Sequence, residues 1–325
     1  MVPQTGFLLP PAAALHDTGW NHPEHQGRLR ALSSTVGKDL LSLYQAVVQV
    51  ECRDALEEDL LRVHSSEQVE LVREAVRQAE AVEGPVTLDS DTRVSAASWD
   101  AAVGSAGAVI TAAEHVSTGS LKNAFVAARP PGHHATPSRS MGFCLFNNVA
   151  VAVRWMQHRG LAERVLVVDW DVHHGNGTQD IFYADPTVVY VSLHQCPHYP
   201  GTGAVAETGE GEGVGANINV PLPAATPPDR YRERFMAALD RAWAFSRPEF
   251  VFVSAGFDVM KGDPLGGQLL EPSDLYGLTL NLVERVEADG IGLVVALEGG
   301  YDPERTGQGV VAVIRALAGL EEACG

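Results

Sequence analysis

Basic residues are scarce in this chain of 325 residues: 23 Lys and Arg stand against 41 Asp and Glu, a formal net charge of −18. A basic footprint for phosphates is missing, which argues against DNA or RNA as a partner. The acidity can favour a cationic substrate, although acidic surfaces mostly serve solubility. Cysteine is sparse too. Cys52, Cys144, Cys196 and Cys324 show neither CxxC spacing nor a dense framework. They fit reduced thiols in a cytoplasmic protein rather than a disulfide scaffold. No run of about twenty apolar residues occurs, so no membrane span is expected. Met1–Leu15 lacks a basic n-region, so no signal peptide is expected either. No repeat, linker or shift of composition divides the chain. With 45% hydrophobic residues it can fill one large core, and residues 1–325 read as a single domain.

What is present alternates. Apolar residues at i, i+3 and i+4 predict helices over Arg28–Leu43, Glu57–His64, Ser66–Val82, Ala96–Ser117, Asn147–His158, Asp229–Phe245, Pro272–Ala288 and Gln308–Leu320. Ser65 or Ser66 can cap the third of these, and Ser273 the seventh. Short apolar runs predict strands at Ala124–Ala127, Val165–Val168, Val188–Leu193, Phe250–Ser254 and Gly292–Leu297. Gly6–Gly27, with His16, His22 and His25, and Gly84–Ser90 read as loops. Strand and helix in alternation imply an α/β fold with a mostly parallel sheet and helices on both faces.

The unusual residues sit just past the strand ends. Val165–Gly177 reads VLVVDWDVHHGNG, so Asp169, Asp171, His173 and His174 crowd the end of a buried strand. In an extended segment Asp169, Asp171 and His173 would share one face. The strand at Ala124–Ala127 runs into RPPGHH, where two prolines and a glycine can hold His133 and His134 in a rigid loop. Two later strands end in Asp258 and in Glu298-Gly299-Gly300-Tyr301. In a parallel sheet these ends share one edge, the edge where ligands bind. Asp171, His173 and Asp258 supply three N and O ligands, which with an open position is the pattern of a catalytic zinc ion. Such an ion would polarise a carbonyl and acidify water. His133 and His134 could move the proton. Tyr301, on a flexible double-glycine turn, could donate to the developing oxyanion. These are the parts of a metal-assisted amide hydrolase.

The segments RPPGHH, MGFCLFNN, DWDVHHGNG, VSLHQ, YPGTG, SAGFD, GDPLGG and LEGGY resemble, in this order, those of the histone deacetylase and acetylpolyamine amidohydrolase family, and the resemblance as a whole runs from about His22 to Tyr301. The resemblance implies a single domain of arginase-deacetylase fold and zinc-dependent removal of acetyl groups from amines. Carried over residue by residue, it implies Asp171, His173 and Asp258 as zinc ligands, His134 as general base and acid, His133 as its electrostatic helper and Tyr301 as the carbonyl's donor. It implies Phe143 and Tyr199 as walls of a narrow tunnel, with Asp91 and Leu265 at its mouth. It implies a structural potassium ion held by Asp169, Asp171, His173, Ser192 and Leu193. It also implies that Asp169 orients His133 and that Asn176 is the partner of His134. One branch of the family has Asp where this chain has Asn176, so His134 is expected to be less basic here. Asn176 and LEGGY place the chain nearer the class II deacetylases and their bacterial relatives.

Read without the family, Phe143 and Tyr199 would pass as core aromatics, Ser192 and Leu193 as core, and Asp91 as an exposed loop charge. Cys144 reads as a small buried residue. A two-manganese ureohydrolase of the same broad fold needs further carboxylates, but the positions two after His173 and Asp258 are Gly175 and Met260. A binding module derived from an enzyme would be expected to lose a ligand or the tyrosine, and all are present. The remaining choice is between acetyl-lysine in proteins or peptides and small acetylated amines such as polyamines, and homo-oligomerisation stays open.

Overall fold

The structure is a computed structural model, and it describes residues 4–322. Cys324 and the first three residues of Met1–Leu15 lie outside the described residues. The chain runs β1 (Thr5–Leu8), α1 (Gly27–Lys38), α2 (Leu40–Leu43), β2 (Val47–Gln49), α3 (Glu57–Leu60), α4 (Ser66–Ala81), β3 (Val86–Thr87), β4 (Arg93–Val94), α5 (Ser98–Ser117) and β5 (Asn123–Val126). It continues α6 (Asn148–His158), β6 (Val165–Asp169), α7 (Asn176–Phe182), β7 (Val188–Gln195), β8 (Asn217–Leu222), α8 (Pro228–Ser246), β9 (Phe250–Ala255), α9 (Pro272–Asp289), β10 (Gly292–Leu297) and α10 (Pro303–Leu317). Eight strands form one sheet in the order β2-β1-β5-β10-β9-β6-β7-β8. Every pairing in it is parallel. The fold is a single α/β domain with helices on both faces of a parallel sheet.

The strands are apolar on both faces because both are covered. Val165 and Val167 of β6 join Phe250, Phe252 and Val294 in a core under α4, α5 and α6. Leu166 and Val168 join Val251, Val253 and Val295 in a second core under α1, α8, α9 and α10. The period of two thus divides each strand between two cores. Small residues let α5 approach closely: a Cβ on Gly107 would lie 2.1 Å from the Arg53 carbonyl oxygen.

Several boundaries differ from the sequence expectations. Helix α1 stops at Lys38, and Leu40–Leu43 forms a separate turn around Asp39. The helix expected over Glu57–His64 ends at Leu60. The segments expected as loops contain β1 and the strand β3, which pairs with β4 in a two-stranded hairpin. Ser65 caps α4 by accepting the Gln68 N–H. Ser273 does not cap α9: it lies inside the helix, and the Asp274 carboxylate accepts the Glu271 N–H. Helix α10 starts at Pro303 rather than Gln308, because Asp302 accepts the N–H groups of Glu304 and Arg305.

Candidate active site

One row of paired residues crosses the sheet at its C-terminal edge: Leu8, Val126, Ala296, Ser254, Asp169, Ser192 and Asn219. The four central strands β5, β10, β9 and β6 are neighbours, so the segments that leave them converge. Asp171 and His173 do not reach the site on an extended face, as the period of two suggested. Strand β6 ends at Asp169, and the chain bends through residues 171–173. The bend is closed by side chains. Asp169 Oδ1 accepts the Asp171 N–H (3.1 Å), Asp171 Oδ1 accepts the His173 N–H (2.9 Å), and Asp258 Oδ1 accepts the Val172 N–H (2.9 Å).

Among the described residues, one group of His, Cys, Asp and Glu side chains can share a metal ion: Asp171, His173 and Asp258, all buried, with ligand atoms within 4.8 Å of one another. His173 Nδ1 lies 3.0 Å from Asp171 Oδ1 and 3.3 Å from Asp258 Oδ2. Asp258 Oδ2 is buried and has no hydrogen-bond partner. The surrounding backbone is cut away to make room. A Cβ on Gly299 would lie 2.0 Å from Asp258 Oδ2, and one on Gly256 2.2 Å from Asp171 Oδ2. Burial opposes a charge on His173, yet the two carboxylates outweigh it and raise its pKa to about 10. Burial and the nearby Asp171 push the Asp258 carboxyl up to about 7. Two carboxylates crowded around one imidazole, with an orphaned oxygen between them, fit a divalent cation of the zinc type. Gly175 and Met260 offer no carboxylate for a second ion.

His133 and His134 stand above this group. His133 Nδ1 lies 3.0 Å from Asp169 Oδ2, which also accepts the Tyr190 hydroxyl (2.9 Å). Burial opposes its charge, but Asp171 and Asp169 raise its pKa well above the usual value. His134 is held the other way: burial, then the neighbouring His133 and His173, lower its pKa well below the usual value. Its Nδ1–H donates to Asn176 Oδ1 at 2.8 Å. Asn176 Nδ2 donates to Met141 Sδ at 3.5 Å, which orients the amide. The bond to Asn176 favours the charged ring but does not prevail. His134 is thus a neutral imidazole with Nε2 as its free acceptor.

A cavity of ≈ 500 Å³ opens over this edge, lined by Asp91, His134, Phe143, His173, Tyr199, Leu265 and Tyr301 together with Gln195 and His198. The wall aromatics are not core residues. Phe143 is half-buried and Tyr199 is 38% exposed. Phe143 takes φ +68°, a left-handed conformation that a bulky residue rarely adopts, and Thr92 Oγ1 accepts its N–H at 3.1 Å. The Tyr301 ring meets Phe143 edge to face at 5.7 Å, and Tyr199 meets His134 likewise at 5.2 Å. Asp91 is half-exposed at the rim, where burial and the nearby Asp89 raise its pKa. Ser192 and Leu193 are fully buried. Ser192 pairs in register with Asp169, and the Gln195 N–H donates to Val172 O (2.8 Å), so the end of β7 lies against the Asp171 bend.

The Tyr301 turn, expected to be flexible, has its backbone groups tied by hydrogen bonds. Arg28 donates to the carbonyls of Gly300 (2.6 Å) and Glu298 (2.7 Å), and Asp171 and Asp263 accept the N–H groups of Gly299 and Tyr301. The glycines serve the close approach to the carboxylates instead. Sequence reasoning missed four supporting residues. Glu298 Oε2 accepts the N–H groups of Gly132 (2.6 Å) and His133 (3.1 Å), and burial pushes its carboxyl up to about 7. His198 stacks on the His173 ring at 4.8 Å and donates from Nε2 to Leu265 O (2.8 Å). His22 accepts the Glu24 N–H at Nδ1 and donates from Nε2 to Asp91 O (2.8 Å), so the histidine-rich segment braces the rim. The fourth is Asp263. A ring adjacent to Tyr199 and an Asp inside GDPLGG were the available signals.

Comparison with known proteins agrees with this geometry. The model of the histone deacetylase domain matches residues 22–317. The histone deacetylase-like amidohydrolase of Pseudomonas aeruginosa is 36% identical over 324 residues, covering 99% of this chain and 82% of that protein. A probable deacetylase of Methanothermobacter thermautotrophicus is 40% identical over 305 residues, covering 92% of this chain and 87% of that protein. The crystal structure of the HDA15 HD domain superposes with a TM-score of 0.91 at 36% identity, covering 100% of this chain and 91% of that one. With a family model that spans most of the chain and relatives at 36–40% identity over nearly its whole length, the chain is a member of the histone deacetylase family.

Proposed function

We propose that this chain is a zinc-dependent amidohydrolase that removes acetyl or related acyl groups from the ε-amine of lysine. The observation that carries the reading is the unpartnered, buried Asp258 Oδ2 facing His173, beside a neutral His134 that lines the cavity. Asp171, His173 and Asp258 would hold the ion, which when bound polarises the acyl carbonyl and acidifies water. His134 Nε2 takes the water's proton and returns it to the leaving amine, while Asn176 fixes its tautomer. His133, kept charged by Asp169 and Asp171, stabilises negative charge on the reacting centre. Tyr301 donates its hydroxyl hydrogen bond to the acyl oxygen. Phe143 and Tyr199 flank the alkyl stem, and Asp91 at the rim accepts from the substrate backbone. Asp169, Asp171, His173, Ser192 and Leu193 would hold a structural potassium ion. The acidic composition argues against nucleic acid as a partner, and the sparse cysteines support a cytoplasmic enzyme.

The alternative substrate is an acetylated polyamine. Leu265 at the cavity mouth brings apolar contact and no charge for a distant second ammonium. A lysine side chain carries no such group. The expected outcome of a panel of acetyl-lysine peptides, longer acyl-lysines and acetylated polyamines is a higher kcat/KM on the lysine substrates. Leu265→Glu should narrow or reverse that gap by on the order of 1–3 kcal/mol. A wild-type preference for acetylspermidine, or a ratio untouched by Leu265→Glu, would replace the lysine reading with the polyamine one.

A further inference from the structure

The turn carrying Tyr301 begins with two glycines, whose backbone imposes little of its own. Its shape is fixed from outside. The carbonyls of Glu298 and Gly300 face Arg28, and the Gly299 N–H faces Asp171. On the other side of the Gly300–Tyr301 peptide and on the next one, the N–H groups go to a single carboxylate oxygen: Asp263 Oδ2 accepts the Tyr301 N–H at 2.6 Å and the Asp302 N–H at 3.2 Å. The other oxygen, Oδ1, accepts the Leu265 N–H at 2.8 Å. Asp263 is only 7% exposed. Burying a carboxylate is costly, and these three N–H donors offset part of that cost. Capping α10 does not require it, because Asp302 already accepts the Glu304 and Arg305 N–H groups. The Leu265 carbonyl is taken in turn by His198. Leu265 is therefore fixed at both its N–H and its C=O, and one of those bonds shares a carboxylate with Tyr301.

We propose that Asp263 is a positioning residue: its carboxylate sets the Tyr301 hydroxyl against the acyl oxygen and locks the Leu265 peptide at the rim, so that rim and electrophile are held as one unit. The proposal rests on Tyr301 acting as the donor to the acyl oxygen. Asn at position 263 keeps the shape but leaves one accepting oxygen, so one of the two sides is released. Misplacing a reacting group by about 1 Å can cost roughly 10²-fold.

The test is a double-mutant cycle on the zinc-loaded enzyme with an acetyl-lysine peptide, using Asp263→Asn, Tyr301→Phe and the double variant. Melting temperature and zinc per chain are measured alongside. Tyr301→Phe alone should lower kcat by roughly 10²-fold or more. Asp263→Asn should lower kcat about 10–100-fold with KM within about threefold, but by less than about threefold in the Tyr301→Phe background. An equal fold-loss in both backgrounds would overturn the proposal and leave the tyrosine's role intact. An undiminished kcat in Tyr301→Phe would instead defeat the reading beneath it, and the proposal with it. If Asp263→Asn does not fold, Asp263→Ser takes its place in the cycle. Failure of both to fold would show that the carboxylate holds the domain together rather than aiming Tyr301, which also overturns the proposal.

Discussion

Tyr301→Phe keeps the ring against Phe143 and the turn on its four anchors, and removes a single donor. Loss of such a donor should cost roughly 10²–10³ in kcat with metal content unchanged. His134→Ala should be at least as damaging, since proton transfer fails in both directions; steady-state kinetics and metal analysis check both. A second residue gives a prediction about pH. His64 is buried, its Nδ1–H donates to Thr136 O, and its Nε2 accepts the Asn147 N–H. Burial lowers its pKa to about 4 against the Thr136 bond. The unfolded chain, with a histidine near 6.5, therefore binds the extra proton between those values. Its contribution is complete above about pH 6.5 and is lost as the pH falls towards about 4, on the order of 3 kcal/mol in all. Denaturant midpoints between pH 4 and 7 should fall less steeply for His64→Gln than for wild type, and equal slopes would contradict the account. At this scale the residues that meet at the cavity floor were legible, because carboxylates, imidazoles and a tyrosine beside buried strands are poor core material. Glu298, His198, His22 and Asp263 were not, because each acts through a backbone group, and a backbone contact leaves no mark in residue type.

Among the elements, the legible ones were those buried on both sides. Strands β5, β6, β7, β9 and β10 are apolar runs, and α4, α6, α8 and α9 carry a helical period, so burial wrote them into composition. Strand β8, NINVPL, was hidden by a proline and by two asparagines that face the Gln179 side chain. Strand β1 was hidden by Gly6, where a Cβ would meet Leu121 Cδ1 at 2.5 Å. Helix α7 was missed because it comes directly after the bend at residues 171–173, with Gly175 as its uncapped start. The small residues of α5 let it pack closely against the Arg53–Ala55 segment. Gly107→Ala should test this: the new Cβ meets backbone that cannot step aside, and overpacking of this kind costs about 1–3 kcal/mol. Chemical denaturation would measure it. No loss of stability would mean that the Arg53–Ala55 segment is free to move away.

At the scale of the whole molecule, an all-parallel sheet brings the C-terminal ends of β5, β10, β9 and β6 together, so residues far apart in sequence meet in one pocket. That convergence was legible as a list of strand endings. The strand order that makes those four neighbours was not, since no residue type encodes which strand lies beside which. The net charge of −18 was legible as well, and it leaves two buried carboxylates at the centre of an already acidic molecule. Removing a cation from between them should therefore lower the melting temperature, and returning zinc should restore it. The central claim is that one divalent ion held by Asp171, His173 and Asp258 drives amide hydrolysis. It is tested most directly by adding zinc stepwise to chelator-treated enzyme while monitoring acetate release from an acetyl-lysine peptide. The account predicts no release without metal, then a rise that levels off at one zinc per chain. Full activity in the metal-free enzyme, or a rise that levels off only at two ions per chain, would contradict it.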